Sequence, residues 1–289
     1  MTETIAYIRQ SLKDIYSSGE IQAFTRLIME RICGLSTSQF LANKGNELSD
    51  KEKFQIKEII SGLQEHKPIQ YLLGVEEFLG LDFKVTPGVL IPRPETAELA
   101  NLIISDFKDQ NPQIVDIGTG SGCIAIALAK YLPKAIVSAI DVSPEAIAIA
   151  KKNAQTNHVS VSFINLDILS NNIDKELCET DVNPNQLLYD CIVSNPPYIM
   201  EKEKSSMDDN VLKNEPALAL FVPDDDPLLF YKAISKFGRS HLKTNGKIYF
   251  EINALCGKET MDLLQKDGYT HIELIQDFYS KNRIIKAIK

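Results

Sequence analysis

No stretch of the chain approaches the roughly 18 consecutive apolar residues that a membrane span requires, so no membrane partner is expected. The residues Met1-Thr2-Glu3-Thr4 carry neither the basic nor the apolar region of a secretory signal, which points to a cytoplasmic protein. Cysteine is sparse. Cys33, Cys123, Cys178, Cys191 and Cys256 are odd in number and widely spaced, with no CxxC pair and no histidine in ligand register. That pattern argues against a disulfide framework and a metal site and fits buried free thiols in a reducing compartment. The four histidines, His66, His158, His241 and His271, form no pattern with a serine or cysteine nucleophile. Positive charge is short too: 31 Lys and Arg against 39 Asp and Glu leave a net charge of −8. Long nucleic-acid contacts need clustered cations, so no stable nucleic-acid partner is expected. Internal repeats and low-complexity tracts are absent.

The 289 residues, 44% of them apolar, suit a large domain with a sizeable core and a smaller one beside it. Residues 1–72 read as helical. Ile5, Ile8, Leu12 and Ile15 keep helical spacing, Ser17-Ser18-Gly19 breaks it, and Phe24, Leu27, Ile28 and Ile32 resume it. A short piece follows around Phe40, and Ser49 with Glu52 makes a capping box ahead of Phe54, Ile56, Ile59, Ile60 and Leu63. The unit holds no catalytic pattern and serves either stability or docking. Residues 73–92 are expected to form a hairpin linker, with Tyr71-Leu72-Leu73-Gly74 and the run from Phe78 to Val85 as its strands. Val89-Leu90-Ile91-Pro92-Arg93-Pro94-Glu95-Thr96 then leads into a helix, and the larger domain occupies 93–289.

From Gln113 strands and helices alternate, which implies a mostly parallel, doubly wound sheet. Two late strands joined by a short connection make the last one antiparallel. Residues 170–186 are polar and read as an exposed loop, as does the segment holding Asn214-Glu215-Pro216 and Asp224-Asp225-Asp226.

Two stretches carry chemistry. The strand Ile114-Val115-Asp116-Ile117 runs into Gly118-Thr119-Gly120-Ser121-Gly122 and then a helix. Glycines let the backbone turn sharply and approach a ligand, and the helix start offers free N–H groups. This is neither the GxGxxG dinucleotide fingerprint nor a P-loop. Asp141, about 20 residues on at the end of the next strand, is placed to accept ribose hydroxyls, so a nucleoside cofactor is expected. The second stretch is Asn195-Pro196-Pro197-Tyr198, after the apolar strand from Tyr189 to Ser194. The prolines end the strand and keep Asn195 extended. The result is a rigid lip with an amide, bare carbonyls and an aromatic ring, suited to gripping a planar –NH2 group. In an open parallel sheet both stretches belong at the carboxyl ends of strands, neighbours across the switch in strand order.

The run from Asp116 to Gly122, with Asp141 and then Asn195-Pro196-Pro197-Tyr198, resembles class I S-adenosylmethionine-dependent methyltransferases that methylate amino groups. Ile91-Pro92-Arg93-Pro94-Glu95-Thr96 and Asn214-Glu215-Pro216-Ala217-Leu218-Ala219-Leu220 narrow this to the PrmC/HemK family, which methylates a glutamine side chain of peptide chain release factors. The resemblance implies a Rossmann-like α/β domain behind a helical docking domain, S-adenosyl-L-methionine as methyl donor, release factors as partners, and a monomer. It also implies a cofactor site of Gly118, Thr119, Gly120, Ser121, Gly122, Asp141 and Asn195. Asn195, Pro196, Pro197 and Tyr198 would hold the acceptor, with Asn195, Pro196 and Tyr198 catalytic. Departures from the family pattern fall at Ala97, Ile168, Asn253, Cys256 and the Asp224-Asp225-Asp226 run.

Overall fold

In the computed structural model, residues 2–35, 39, 47–179 and 187–289 are described. The chain divides into two compact units: Glu76–Met207 with Glu215–Lys289 form the larger, and the described residues before Glu76, joined by Asp208–Asn214, form the smaller.

The smaller unit is helical. Helices α1 (Thr2–Leu12), α2 (Ser18–Cys33), α3 (Asp50–Gln64) and α4 (Ile69–Leu73) bury Ile8, Leu12, Ile28, Met29, Ile56, Ile60 and Leu63 together. Both Ser17 with Glu20 and Ser49 with Glu52 close capping boxes, satisfying N–H groups that each helix start leaves unpaired. The stretch Tyr71-Leu72-Leu73, expected as a strand, is helical. Pro68 occupies the N-cap position, and Gly74 closes the helix in the left-handed conformation (φ 73°). The helical piece expected around Phe40 lies outside the described residues.

In the larger unit the hairpin is β1 (Val75–Phe78) and β2 (Leu81–Lys84). It is fastened to the sheet domain rather than spanning free. Asn153 accepts from the Lys84 N–H (2.7 Å) and donates to the Lys84 and Ser121 carbonyls (3.0 and 2.8 Å), while Asn157 donates to the Asp82 carbonyl (3.0 Å).

Helix α5 (Pro94–Asp106) follows, and then β3 (Gln113–Ile117), α6 (Cys123–Tyr131), β4 (Ile136–Asp141), α7 (Pro144–Thr156) and β5 (Ser162–Asn165). Helix α8 (Ile173–Cys178) interrupts the stretch expected as loop, of which 180–186 lie outside the described residues. After β6 (Tyr189–Ser194) come the two-residue β7 (Ile199–Met200), α9 (Asp209–Asn214) and β8 (Phe221–Val222). The chain ends through α10 (Leu229–His241), β9 (Leu242–Glu251), α11 (Gly257–Lys266), β10 (Thr270–Gln276) and β11 (Asn282–Ile288).

The seven-stranded sheet has the order β10-β11-β9-β6-β3-β4-β5. Strands β9, β6, β3, β4 and β5 run parallel, and β11 is antiparallel to both neighbours. Because successive side chains point to opposite faces, Ile114 and Cys191 join one core with Leu99, Ile103 and Leu128, while Val115 and Ile192 join another with Ile234 and Phe237.

Asp116 sits inside this sheet, fully buried. One carboxylate oxygen accepts from Thr119 Oγ1 (2.6 Å) and the Ala125 N–H (3.3 Å), and Oδ1 has no partner. Burial, the dominant cause, pushes its pKa up to about 7 from an ordinary 3.8. The unfolded chain therefore releases this proton at lower pH than the folded one, and stability falls as pH rises from about 4 to about 7. Asp116→Asn should remove this contribution. Chemical denaturation across that range should show the mutant gaining on the wild type by roughly 2–4 kcal/mol as pH rises. A pH-independent difference would show that Asp116 titrates normally.

Candidate functional site

Strand β3 ends at Ile117, and the backbone then folds back so that Gly118 N–H and Thr119 N–H both donate to the Ile140 carbonyl (2.8 and 3.0 Å). Gly118 and Gly120 take positive φ (75° and 55°), and an added Cβ at either would meet nothing within 4 Å. Their bareness thus faces open space. Gly122 differs: a Cβ there would stand 2.9 Å from Ile126 and 3.0 Å from Ala150, so this glycine lets α6 approach α7.

Asp141, at the end of β4, supports the turn. Oδ2 accepts from the Gly120 N–H (2.7 Å) and Oδ1 from the Ser143 N–H (2.9 Å). Burial raises its pKa, and these backbone donors oppose the rise. With about four acceptor positions on a carboxylate, Asp141 keeps capacity for a further donor.

Strand β6 pairs with β3 in parallel, Ile117 opposite Ser194, and the Ser194 hydroxyl donates to the Ile117 carbonyl (2.6 Å). The lip therefore starts beside the glycine turn. Behind it, Asn195 Nδ2 donates to Thr96 Oγ1 (3.1 Å), and Thr96 Oγ1 donates to Glu251 Oε2 (2.7 Å). The Tyr198 hydroxyl donates to Glu251 Oε1 (3.0 Å). Burial raises the Glu251 pKa, while the Thr96 and Tyr198 hydroxyls and the Arg283 charge oppose the rise. Glu215, also buried, pairs with Arg93 and accepts from the Ile91 N–H (3.3 Å), which ties the Glu-Pro loop to the segment before α5.

A cavity of about 420 Å³ joins these parts, within the range of small-molecule sites. Gly118, Gly120 and Asp141 line it on one side and Asn195, Pro196 and Pro197 on another. Pro87, Gly88, Val89 and Leu90 contribute a wall, as do Val142, Leu166, Ile168, Leu218 and Phe230. Four of the expected site residues are off this wall. The Thr119 hydroxyl is held by Asp116, the Ser121 carbonyl by Asn153, Gly122 packs between helices, and the Tyr198 hydroxyl reaches Glu251. The four histidines are also absent from it.

Sequence reasoning missed the roles of Thr96, Glu251 and Asn253. Asn253 donates to the Tyr198 carbonyl (3.1 Å) and to Glu203 (2.8 Å), bracing the lip. The available signal was the run of polar residues at strand and helix ends, Thr96 after Arg93-Pro94-Glu95 and Glu251 closing β9.

Two family models match the chain: the methyltransferase small domain over residues 87–218 and the PrmC N-terminal domain over 3–74. The release factor glutamine methyltransferase of Bacteroides thetaiotaomicron is 45% identical over 287 residues, covering 99% of both chains. That of Flavobacterium psychrophilum is 44% identical, covering 96% of this chain and 95% of its own. A crystal structure of a Pyrococcus furiosus methyltransferase shares the fold, with a TM-score of 0.52 at 18% identity, over 79% of this chain and 96% of that one. With identity of this level along nearly its full length, the chain belongs to the release factor glutamine methyltransferase family.

Proposed function

We propose that the protein transfers a methyl group from S-adenosyl-L-methionine to the side-chain amide nitrogen of a glutamine in a peptide chain release factor. One observation carries the reading: a single cavity has the Gly118 and Gly120 turn with Asp141 on one side and the Asn195-Pro196-Pro197 lip on another. Both arise at the carboxyl ends of paired parallel strands, where such sheets bind ligands.

The wall suits this cofactor. The open space over Gly118 and Gly120 admits a ligand against the backbone, Asp141 has lone pairs left for ribose hydroxyls, and Val142, Leu166 and Ile168 offer apolar contact. When bound, S-adenosylmethionine supplies an activated methyl group on a sulfonium. The chain's own contribution is to hold and orient the acceptor. An amide nitrogen is a weak nucleophile because its lone pair is delocalised into the carbonyl. The Asn195 side-chain oxygen and the Pro196 carbonyl each accept one of its N–H bonds, which aims the nitrogen and stabilises positive charge developing on it. No general base is required when the proton leaves after attack. Tyr198 supports the lip through Glu251, with its hydroxyl held away from the acceptor.

The helical unit supplies the release-factor docking surface in this reading, and among its described residues Tyr7, Ile15 and Phe54 are exposed large apolar ones. The enzyme acts as a monomer in the cytoplasm, a setting that suits five unbridged cysteines, and forms no stable nucleic-acid complex.

Incubating the protein with labelled S-adenosylmethionine and separate pools of release factor, ribosomal protein, DNA and RNA tests the assignment. Label should enter a release-factor glutamine, and label in nucleic acid alone would overturn the reading. Asp141→Ala should weaken cofactor binding by roughly 10-fold or more, through lost hydrogen bonds to a charged group. Calorimetry is the measurement, and unchanged affinity would take Asp141 out of the site. Asn195→Ala should lower the single-turnover rate by ~10²-fold, as loss of one oriented partner does in oxyanion sites. Cofactor affinity should hardly change, and near wild-type chemistry would make the lip structural.

A further inference from the structure

A side-chain amide has two ends of nearly the same shape and opposite hydrogen-bonding character. Turned one way, Asn195 presents an oxygen to an acceptor –NH2 group. Turned the other way, it presents its own –NH2, donor against donor. Which end faces forward is decided by what holds the back end.

The partner at the back is the Thr96 hydroxyl, itself buried. A hydroxyl has one hydrogen, and that of Thr96 is committed to Glu251 Oε2 at 2.7 Å. Glu251 accepts in this bond, so the Thr96 oxygen is left to accept in the next one. The second Glu251 oxygen is taken by the Tyr198 hydroxyl at 3.0 Å. With its hydrogen spent, Thr96 meets Asn195 only as an acceptor. Only Nδ2 of Asn195 satisfies it, which turns Oδ1 away from Thr96.

We infer that Thr96, anchored by the Glu251 carboxylate, is a positioning residue that sets the amide of Asn195 with its oxygen toward the methyl acceptor. Three side chains from α5, β9 and the end of β6 thus form a chain of hydrogen bonds with one polarity, ending at the lip. Burial raises the Glu251 pKa most strongly, and the Thr96 and Tyr198 hydroxyls together with the Arg283 charge oppose that rise, favouring the accepting form. Thr96 is not among the residues lining the cavity and acts through Asn195. The inference rests on the amide-methylating reading above.

The test uses full-length Thr96→Val, Thr96→Ser, Asn195→Ala and the Thr96→Val/Asn195→Ala double variant, assayed in single turnover on the acceptor that the wild type methylates in the pool experiment. Valine keeps the shape and removes the hydroxyl. Its rate should fall roughly 10-fold, with cofactor affinity unchanged, as expected for loss of one hydrogen bond that orients a reacting group. Serine restores the hydroxyl and should return the rate to within about 2-fold of wild type. The double variant should be no slower than Asn195→Ala alone, because the relay has nothing left to orient. A wild-type rate in Thr96→Val, no recovery in Thr96→Ser, or losses that multiply in the double variant would each overturn the inference. Label that enters a different acceptor in the wild type sinks the substrate assignment and leaves these comparisons decisive on that acceptor.

Discussion

Everything at the site hangs on the parallel pairing of β3 with β6. The register sets Ile117 opposite Ser194, and the Ser194 hydroxyl locks it by donating to the Ile117 carbonyl at 2.6 Å. A slip of one residue would send each β6 side chain to the opposite face, moving Ile192 and Val193 between the two cores. Both motifs begin one residue beyond this pair, at Gly118 and Asn195. The glycine turn and the Asn-Pro-Pro lip are therefore brought side by side by the paired strands that carry them.

Among the buried carboxylates of this region, Asp116 and Glu251 do different things. Asp116 braces the turn through Thr119 and Ala125 but leaves one oxygen unsatisfied, which is why burial dominates its titration. Glu251 fills both oxygens with hydroxyl donors and sits near Arg283. Burial still raises its pKa, with the Thr96 and Tyr198 hydroxyls and the Arg283 charge opposing the rise. A buried ionic group contributes little stability over an apolar replacement of equal volume, so these contacts are better understood through what the group orders than through what it stabilises.

The parts of the site carried by local pattern were legible in the sequence. Residues 114–117 and 189–194 are short apolar strands bounded by glycine or proline, and the turn and lip are contiguous motifs. The antiparallel last strand was legible because a connection too short for a crossover joins it to β10. Other features depend on partners far along the chain. Thr96 and Glu251 lie 155 positions apart, and neither belongs to a periodic pattern that announces the contact. The Tyr198 hydroxyl likewise reaches Glu251, 53 positions on, a contact that adjacency to the prolines does not announce. Local chemistry misled at Tyr71-Leu72-Leu73, where apolar residues suit strand or helix and the flanking Pro68 and Gly74 decide for helix. Nothing local in the sequence reveals that Asn153 and Asn157 clasp the backbone of the hairpin.

The arrangement around the lip also explains why a rigid strand end needs side-chain support. The prolines fix the backbone path of 195–198 but leave the Asn195 side chain free to rotate about its own bonds. Backbone constraint delivers position, and side-chain polarity must deliver direction. Asn253 holds the far end of the lip through the Tyr198 carbonyl, and Glu251 holds the Tyr198 hydroxyl and, through Thr96, the near end. Both supports come from the carboxyl end of β9 and the residues just beyond it. Since β9 pairs with β6 in parallel, with Phe250 opposite Ser194, these supports arise from the strand next to the lip. The sheet that places the glycine turn beside the lip thus also supplies, one strand further over, the groups that hydrogen-bond the lip from behind.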